Sequence, residues 1–401
     1  MPAIPCINEV LPAEVFGVIF EEHAKLEWNA PVFDGVVCRQ WRRTILRTPR
    51  AWTHLIIGDN FRSAPSELRQ QWLGRSGTAP LHIRVSSPWG AEEILDQHYK
   101  RIESLAVRHG IVRSLLENRS FPILQSLTLY GLDIYNTPKF RLSNWDAMPA
   151  LRSLRIYGYS VNILPSKTVP ALRVLAIFRL KKKEFNNIMQ NSYHSLTTLM
   201  LASLDVPDTT ETMEFPSLSF LSLSAVGNLK HRMSVPALTT YHEAAMPEDE
   251  SFSMPLPLLT EYGISQINTQ PLFNINVTRL HHYYPNLSRI SVRFGPSYVK
   301  AFLHSLSGQP TSLPMLRILA VKVLGGHKKF SKKDTDSMMN DVFVRNTATS
   351  VKMELCFDGR LRVPLYFAGV RDYVQEGRSE LTSTLRMWIV PFEFVAGLLI
   401  P

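Results

Sequence analysis

Few residues in this sequence combine the types and the spacing that catalysis or metal binding requires. His281 and His282 could ligate a metal, but adjacent residues point to opposite faces of a strand, or about 100° apart on a helix, so they form a poor pair. Cys38 has no nearby histidine that could activate it as a nucleophile, and we expect it to pack as an apolar residue. The acidic run at 248–250 could contact a cation, although such runs are usually solvated loops. The chain also lacks the P-loop, Gly-x-Ser-x-Gly and His-Glu-x-x-His patterns, so we expect no enzymatic activity, no metal site and no cofactor.

The composition is that of a folded protein from a reducing compartment. Of the 401 residues, 45% are hydrophobic and 19% are charged, as in globular proteins. The 3 cysteines show no pairing pattern, which favours an intracellular location, cytoplasmic or nuclear or both. We expect neither a signal peptide nor a membrane span, because no basic stretch followed by an apolar run opens the chain and no apolar segment approaches ~20 residues.

The positive charge of the protein lies outside its first 60 residues. Residues 1–60 contain 6 Lys or Arg against 7 Asp or Glu, whereas the remainder contains 38 against 27. The basic clusters at 181–183 and 327–333 could contact phosphate or an acidic substrate, or act as a nuclear-import signal. No aromatic residues alternate with them to stack on bases, so solvated turns are favoured over nucleic-acid binding.

A nonapeptide pattern, x-Pro-x-Leu-x-x-Leu-x-Leu, recurs from residue 121 onward. Clear copies are FPILQSLTL at 121–129 and MPALRSLRI at 148–156, and weaker ones include YHSLTTLML at 193–201. Successive copies are 20 to 29 residues apart, which is the period of leucine-rich repeats, and the pattern resembles that class. The fourth-position leucines of the nine copies are Leu124, Leu151, Leu172, Leu196, Leu218, Leu238, Leu259, Leu287 and Leu316.

Each copy predicts a short strand with one buried face. Positions seven and nine are apolar and alternate with polar or small residues, and a single copy cannot bury its own leucines, so we expect the copies to stack as parallel strands that share one core. The copy at 235–243 places Tyr241 and Glu243 at inward positions, which predicts a distortion there and a loop-rich break over 235–257. The other inward pairs are Leu127/Leu129, Leu154/Ile156, Leu175/Ile177 and Leu221/Leu223.

The segments around and between the copies predict further elements. A first strand is expected at 81–86 and another at 350–357. An irregular early copy of the nonapeptide is expected at 100–107. The last segments, through the end of the chain, would complete an atypical end unit that covers the final apolar layer. Helices are expected at 66–77, where Gly77 would end the helix, and at 91–102, 179–192, 296–308 and 332–346.

The outward positions of the copies are candidate contacts for a protein partner. Tyr130, Tyr157 and Phe178 occupy the tenth position of three successive copies, beside Arg155 and Met200 at the eighth position. Tyrosine and arginine are favoured at protein interfaces. Alternatively, the C-terminal segment covers this column, or the column simply stabilises the sheet.

The first 52 residues predict two amphipathic helices. Leu11 and Pro12 precede an apolar face formed by residues 15–20, and Pro31 starts a second segment whose helix includes residues 36–47. Arginines 39, 42, 43 and 47 occupy the solvated side of that second helix. A unit of this size is too small to bury all these apolar residues, so part of the apolar face must lie against another surface, and a partner is favoured over the rest of this chain.

These same residues resemble an F-box. The matching segments are LPAEVFGVIF, VCRQWRR and TPRAW, and residues 71–85 resemble the segment that follows the F-box in many fungal F-box proteins. The match spans about 45 residues, and Gly35 departs from it because family members more often carry a helix former there. The resemblance implies a module that binds a Skp-type adaptor, and through it a cullin, with Trp52 closing the module's own core. The implied adaptor contacts are Leu11, Pro12, Val15, Ile19, Phe20, Val37, Cys38 and Trp41.

Together these observations predict an α/β protein with an all-helical F-box at 1–55, a linker and N-terminal cap at 56–110, a leucine-rich-repeat-like solenoid of parallel strands at 111–330 and an irregular C-terminal cap at 331–401. The expected function is that of a non-catalytic substrate receptor in a cullin–RING ubiquitin ligase, whose repeat surface binds a protein substrate. The alternative is a repeat scaffold that binds a protein or nucleic-acid partner outside any ubiquitin ligase.

Overall fold

The protein is a mixed α/β chain built mainly on parallel β-sheet, as a computed structural model shows. Its contacts divide the chain into two compact units, Met1–Leu172 and Arg173–Pro401. The structure describes residues 10–58, 66–86, 91–108, 116, 119–130, 140–142, 145–157, 161–163, 169–177, 182–202, 212–224, 229, 232–244, 255–265, 277–294, 296–309, 311–323, 332–349 and 354–357.

The first unit opens with helices. Its helices are α1 (Ala13–Leu26), α2 (Ala30–Val37), α3 (Arg39–Leu46), α4 (Ser66–Arg75) and α5 (Ala91–His98), with 3-10 turns at Pro49–Trp52, Tyr99–Arg101 and Trp145–Ala147. Pro12 is the residue that precedes α1, with extended backbone angles, and it is not in the first turn itself. Gly77 follows α4 with φ of +54°, the left-handed conformation that glycine adopts without a steric penalty, which confirms its predicted role at the end of this helix.

A five-stranded parallel sheet completes the first unit. The strands β1 (His54–Ile57), β2 (Leu81–Val85), β3 (Ile102–Arg108), β4 (Ser126–Tyr130) and β6 (Ser153–Tyr157) pair in that order. The region predicted as a linker and N-terminal cap, 56–110, therefore contributes β2, β3 and the second half of β1 to the same sheet. A separate two-stranded parallel ladder joins β5 (Phe140–Leu142) to β7 (Val161–Ile163).

The second unit contains eight parallel strands and four helices within its described residues. Two further short strands, β10 (Met213–Glu214) and β12 (Met233–Ser234), pair with each other. The strands of the sheet, in spatial order, are β8 (Val174–Ile177), β9 (Thr198–Ala202), β11 (Phe220–Ser224), β13 (Thr240–Ala244), β14 (Glu261–Ser265), β15 (Arg289–Phe294), β16 (Ile318–Val323) and β17 (Glu354–Phe357). The helices are α6 (Lys182–Ser192), α7 (Val277–Tyr283), α8 (Pro296–Gly308) and α9 (Lys332–Ala348).

The recurring Pro and Leu of the nonapeptide form a tight turn before each strand. In seven copies the fourth-position leucine donates its backbone N–H to the carbonyl of the first-position residue, at 3.0 to 3.3 Å; Leu124 to Phe121 is one example. Proline suits the second position because its fixed φ matches the second residue of such a turn. The first and fourth side chains both point into the core, as Phe121 (1% exposed) and Leu124 (0%) illustrate.

A second set of hydrogen bonds links successive copies in the second unit. The hydroxyl at the fifth position of one copy donates to the backbone carbonyl at the fifth position of the copy before it, at 3.0 to 3.3 Å. The backbone N–H groups at positions five and six donate to the same carbonyls. The residues of this hydroxyl ladder are Thr197, Ser219, Thr239, Thr260 and Ser288.

The predicted inward leucines are buried, but the predicted distortion at β13 is wrong. Both positions of all four inward pairs are at most 4% exposed. β13 pairs in continuous register with β11 and with β14. The interior accommodates Glu243 because the Tyr241 hydroxyl donates to its carboxylate at 2.7 Å and the Tyr262 hydroxyl donates to the other carboxylate oxygen. We refer to these three side chains as the Tyr–Glu–Tyr cluster.

Most predicted helices and strands outside the nonapeptides are present with shifted ends. α8 matches its predicted range at 296–308, and α4, α5, α6, α9, β2 and β17 overlap theirs. β1 and α7 were not predicted. The final segments that were expected to complete the C-terminal end unit lie outside the described residues.

Candidate protein-docking surface

Exposed apolar side chains are concentrated in the first three helices. Among the described residues, fifteen large apolar side chains are exposed, and ten of them lie between Val10 and Leu46. A soluble protein rarely leaves so many apolar side chains together in water without a partner. We call this set the N-terminal apolar surface; its members are Val10, Val15, Val18, Ile19, Leu26, Val32, Phe33, Val36, Val37 and Leu46.

Helix α2 directs its large apolar side chains outward and its carboxylate inward, whereas Ala30 and Pro31 at its start are buried. Phe33 is 58% exposed and Val36 is 75% exposed, whereas Asp34 is 7% exposed. The Asp34 carboxylate lies 3.0 Å from Nδ1 of His23 in α1, so the buried charge has a hydrogen-bonding partner. A helix normally turns its apolar side toward the core, so the exposed apolar side of α2 is a candidate surface for contact with another molecule.

The residues implied as adaptor contacts by the F-box resemblance divide into two groups. Pro12, Val15, Ile19 and Val37 are exposed on the outer side of the helices. Leu11, Cys38 and Trp41 are half-buried. Phe20 is 1% exposed and offers no surface to a partner.

Phe20 is buried because the helices form an aromatic core of their own. Its ring lies 6.1 Å from that of Phe16 and 5.3 Å from that of Trp41, measured between ring centroids. The Phe16 and Trp41 rings are 5.6 Å apart. Edge-on and tilted contacts at these distances are favourable beyond the area that they bury. The sequence pattern placed Phe20 on the same apolar stripe as Ile19, but the helix turns these neighbours to different sides.

A second aromatic cluster joins the helices to the start of the sheet. Trp52 is 2% exposed, and its Nε1 donates to the carbonyl of Ile45 at 2.8 Å, which confirms its expected place in the core. Its ring contacts Trp72 of α4 edge-on at 4.8 Å, and the Arg75 guanidinium lies 4.5 Å from the Trp52 centroid. These contacts attach the first three helices to α4 and to the start of the sheet.

Cys38 separates two helices where one had been predicted. Its backbone is extended, and its Sγ accepts a hydrogen bond from the backbone N–H of Trp41 at 3.4 Å, so it caps the start of α3. The expected single helix over 36–47 is therefore divided between α2 and α3. Gly35 lies inside α2, where a Cβ would meet Ile45 at an ordinary contact distance of 3.7 Å, so nothing in the local packing requires glycine.

The outward face of the first-unit sheet is the second candidate surface. Tyr130 and Tyr157 pair in register on β4 and β6, and Arg155 lies on the same face. Of the other two residues predicted with them, Met200 lies on β9 of the second unit, half-buried, and Phe178 lies outside the described residues.

Four residues of this face were missed by reasoning from the sequence. They are His54, His82, Arg84 and Arg108, on β1, β2 and β3. The His54 and His82 rings stack at 4.5 Å, and burial, followed by the neighbouring charge of His82, lowers the pKa of His54 to about 4. The alternation in LHIRV and LAVR indicates these outward positions, but the strands lack the nonapeptide that identified the later copies.

Nothing in the described segments forms a metal cluster or a bilayer-spanning helix. His281 and His282 are neighbours on α7, and no group of three or more His, Cys, Asp or Glu side chains among the described residues is arranged to hold a metal ion. No helix in the described part of the chain is long and apolar enough to cross a membrane.

No protein-family model and no curated protein sequence matches this chain.

Proposed function

We propose that this protein is a non-catalytic substrate receptor of a cullin–RING ubiquitin ligase. Helices α1–α3 act as an F-box that docks a Skp-type adaptor through the N-terminal apolar surface. The parallel strands act as a leucine-rich-repeat-like solenoid that binds a protein substrate. The receptor promotes ubiquitin transfer by holding the substrate near the ubiquitin-carrying enzyme, and other subunits supply the chemistry.

The inverted amphipathicity of α2 is the observation that carries the docking proposal. Full burial of one large apolar side chain contributes about 1.5–3 kcal/mol, so covering several members of the N-terminal apolar surface could support a stable complex. The proposed adaptor contacts are best restricted to exposed residues, namely Val15, Ile19, Phe33, Val36 and Val37.

The repeat geometry supports the solenoid part of the proposal. The same turn precedes successive strands, and the same hydroxyl ladder links successive copies in the second unit. Such nearest-neighbour repetition is the property that defines solenoid proteins.

A matched pair of phenylalanines tests the docking assignment. Phe33 on α2 is 58% exposed and Phe343 on α9 is 66% exposed, so both can be replaced without removing core packing. Phe33→Asp introduces a carboxylate at an interface that must be dehydrated, which is expected to cost ~3 kcal/mol or more, and therefore at least a hundredfold in adaptor affinity. Phe343→Asp is the control and should bind the adaptor like the unmodified protein.

The measurement is co-purification and titration calorimetry with a purified Skp-type adaptor, followed by ubiquitin transfer in a reconstituted ligase. Circular dichroism should show that both variants remain folded. Equal adaptor binding by Phe33→Asp and the unmodified protein would reject the docking assignment. Adaptor binding without any ubiquitin transfer to a co-purifying protein would favour a scaffold that works outside the ligase.

A further inference from the structure

We propose that the outward face of the five-stranded sheet in the first unit binds an extended acidic peptide segment through Arg84, Arg108 and Arg155. The inference adopts from the proposed function only that the partner is a protein. It adds the chemistry of the segment that is recognised, together with its spacing.

The outward positions of this sheet carry positive charge, and Glu103 is the half-exposed acidic residue on its strands. The thirteen strand residues that alternate with the buried ones include three arginines, two histidines and two tyrosines, and none is acidic. Glu103 is the neighbouring carboxylate that acts on this face, at the bulge beside His82. Glu103 lies three residues before Ala106, the β3 residue that pairs with Arg84, and this is about 10 Å along the strand. The thirteen positions are His54, Ile56, His82, Arg84, Ser104, Ala106, Arg108, Ser126, Thr128, Tyr130, Ser153, Arg155 and Tyr157.

Some arginines elsewhere in the described part of the chain have carboxylate partners. Arg289 on β15 lies 3.4 Å from the carboxylate of Glu261 on the neighbouring strand, and Arg119 lies 2.7 Å from that of Asp96. In the described part of the chain, no carboxylate lies within 4.0 Å of the three arginines of the proposed site. Within the described residues, an anionic partner would therefore meet three guanidinium groups that no carboxylate of these residues pairs with.

Tyr130 holds one of these arginines in place. Its hydroxyl donates to the Val85 carbonyl at 3.0 Å, which fixes the ring across the sheet, and the Arg84 guanidinium lies 5.2 Å from the ring centroid. Ala106 lies between Arg84 and Thr128 in the same row, so a small side chain leaves room for this contact. Because the ring limits the freedom of the guanidinium before a ligand arrives, less conformational entropy is lost on binding.

The register of the strands sets the spacing of the charges. Arg84, Ala106, Thr128 and Arg155 form one row across β2, β3, β4 and β6. Three steps between strands separate Arg84 from Arg155 by about 14 Å. Residues four apart in an extended peptide are separated by about 13 Å, and their side chains point to the same side. A segment of the form Glu-x-x-x-Glu that crosses the strands would therefore place one carboxylate at Arg84 and the other at Arg155. Arg108, on the strand next to that of Arg84, is then available to a residue on either side of the first glutamate.

The same face is poorly suited to single-stranded nucleic acid. Base stacking requires open aromatic faces. The Tyr130 ring lies beneath Arg84, and Tyr157 is half-buried, so neither ring is fully open to solvent. An acidic peptide uses the guanidinium groups without needing these rings.

Fluorescence polarisation on the full-length protein tests the proposal. The probe is a labelled synthetic eleven-residue peptide, rich in Thr and Val, with two glutamates four residues apart. Comparison peptides carry two glutamines at those positions, two glutamates three residues apart, or two phosphoserines in place of the glutamates. The protein variants on the proposed face are Arg84→Gln, Arg155→Gln and the double variant that combines them. The control is Arg317→Gln, which removes an exposed arginine outside this face.

We expect the Glu-x-x-x-Glu peptide to bind more tightly than the Gln peptide and the three-residue-spaced peptide, with an affinity that falls as salt rises. Each Arg→Gln change should weaken it about three- to tenfold, whereas Arg317→Gln should not. Equal binding of the glutamate and glutamine peptides, or an unchanged affinity in the double variant, would overturn the proposal. So would binding that requires phosphoserine, or tighter binding of a single-stranded RNA of equal charge.

The two proposals fail separately. The double arginine variant should still bind the adaptor, and Phe33→Asp should still bind the peptide. Loss of peptide binding in Phe33→Asp would contradict the assignment of the two surfaces to different partners.

Discussion

Replacing Glu243 tests whether the Tyr–Glu–Tyr cluster holds the second unit together. Tyr241 and Tyr262 are 1% and 3% exposed, and both hydroxyl groups donate to this carboxylate. A hydrogen bond to a charged group contributes about 1.5–3 kcal/mol, so Glu243→Leu loses about 3–6 kcal/mol and leaves two buried donors without this acceptor. Burial of the leucine side chain returns about 1–2 kcal/mol, so the expected net loss is roughly 2–4 kcal/mol.

Glu243→Gln should cost less because it retains one acceptor oxygen while it removes the charge. We expect a loss of about 1.5–3 kcal/mol in the free energy of unfolding. Urea denaturation followed by far-ultraviolet circular dichroism measures both effects, with the exposed Glu214→Gln as a control that should change stability by less than about 0.5 kcal/mol.

The cluster also predicts a loss of stability in alkaline solution. Burial, assisted by the Glu243 charge, raises the pKa of both tyrosines well above 10.0. The unfolded chain releases these protons near pH 10 and the folded chain does not, so the stabilisation is complete below pH 10 and is lost as the pH rises toward the folded pKa values. Unaltered stability of Glu243→Leu, together with tyrosine ionisation near pH 10 in the folded protein, would refute this account of the cluster.

Two further predictions concern the first unit. Burial keeps His54 neutral with a pKa of about 4, so its contribution to stability is complete above pH 6.5 and is lost as the pH falls toward 4. Because His54 is partly exposed, we expect His54→Phe to remove only about 1–2 kcal/mol of the stability difference between pH 7 and pH 4.5, measured by urea titration. The control, His194→Phe at an exposed position, should leave this difference unchanged. Phe20→Ala should lower the free energy of unfolding by about 3–5 kcal/mol, whereas Val18→Ala, at a position 59% exposed, should change it by less than about 1 kcal/mol. A destabilisation by Val18→Ala as large as that by Phe20→Ala would contradict the division of α1 into a buried and an exposed side.

The repeated strands could be predicted because their pattern has two independent parts. The alternating leucines identify a buried strand face, and the preceding Pro and Leu identify the turn that starts each strand. β1 was missed because its four residues follow the last helical turn directly and lack the nonapeptide. α7 was missed because a seven-residue helix gives only two turns of periodicity.

The errors at Glu243 and Cys38 have a common physical cause. Sequence periodicity assigns a side chain to a face but does not show which polar groups will meet there. Two tyrosine hydroxyls satisfy the Glu243 carboxylate, so the strand remains in register. The Cys38 sulfur satisfies a backbone N–H at the start of a new helix, so the chain turns within a pattern that resembles one continuous helix.

The sequence predicted that the first helices expose apolar side chains, but not which ones. An excess of apolar residues in a short helical segment indicated that part of it faces a partner. The assignment of Phe20 to the inside and of Phe33 to the outside depends on how α1 and α2 rotate against each other, and that rotation is fixed by the His23–Asp34 pair and by the Trp41 ring.

Beyond the bulge at Glu103, the strands of the first-unit sheet pair in continuous register, so their outward side chains form regular rows and columns. Successive outward side chains are separated by about 7 Å along each strand and about 5 Å between strands. The turns and the buried leucines keep these spacings without help from the outward residues. A substitution at one outward position can therefore alter which partner is preferred while the other outward side chains keep their positions. Such a surface can acquire new selectivity in small steps.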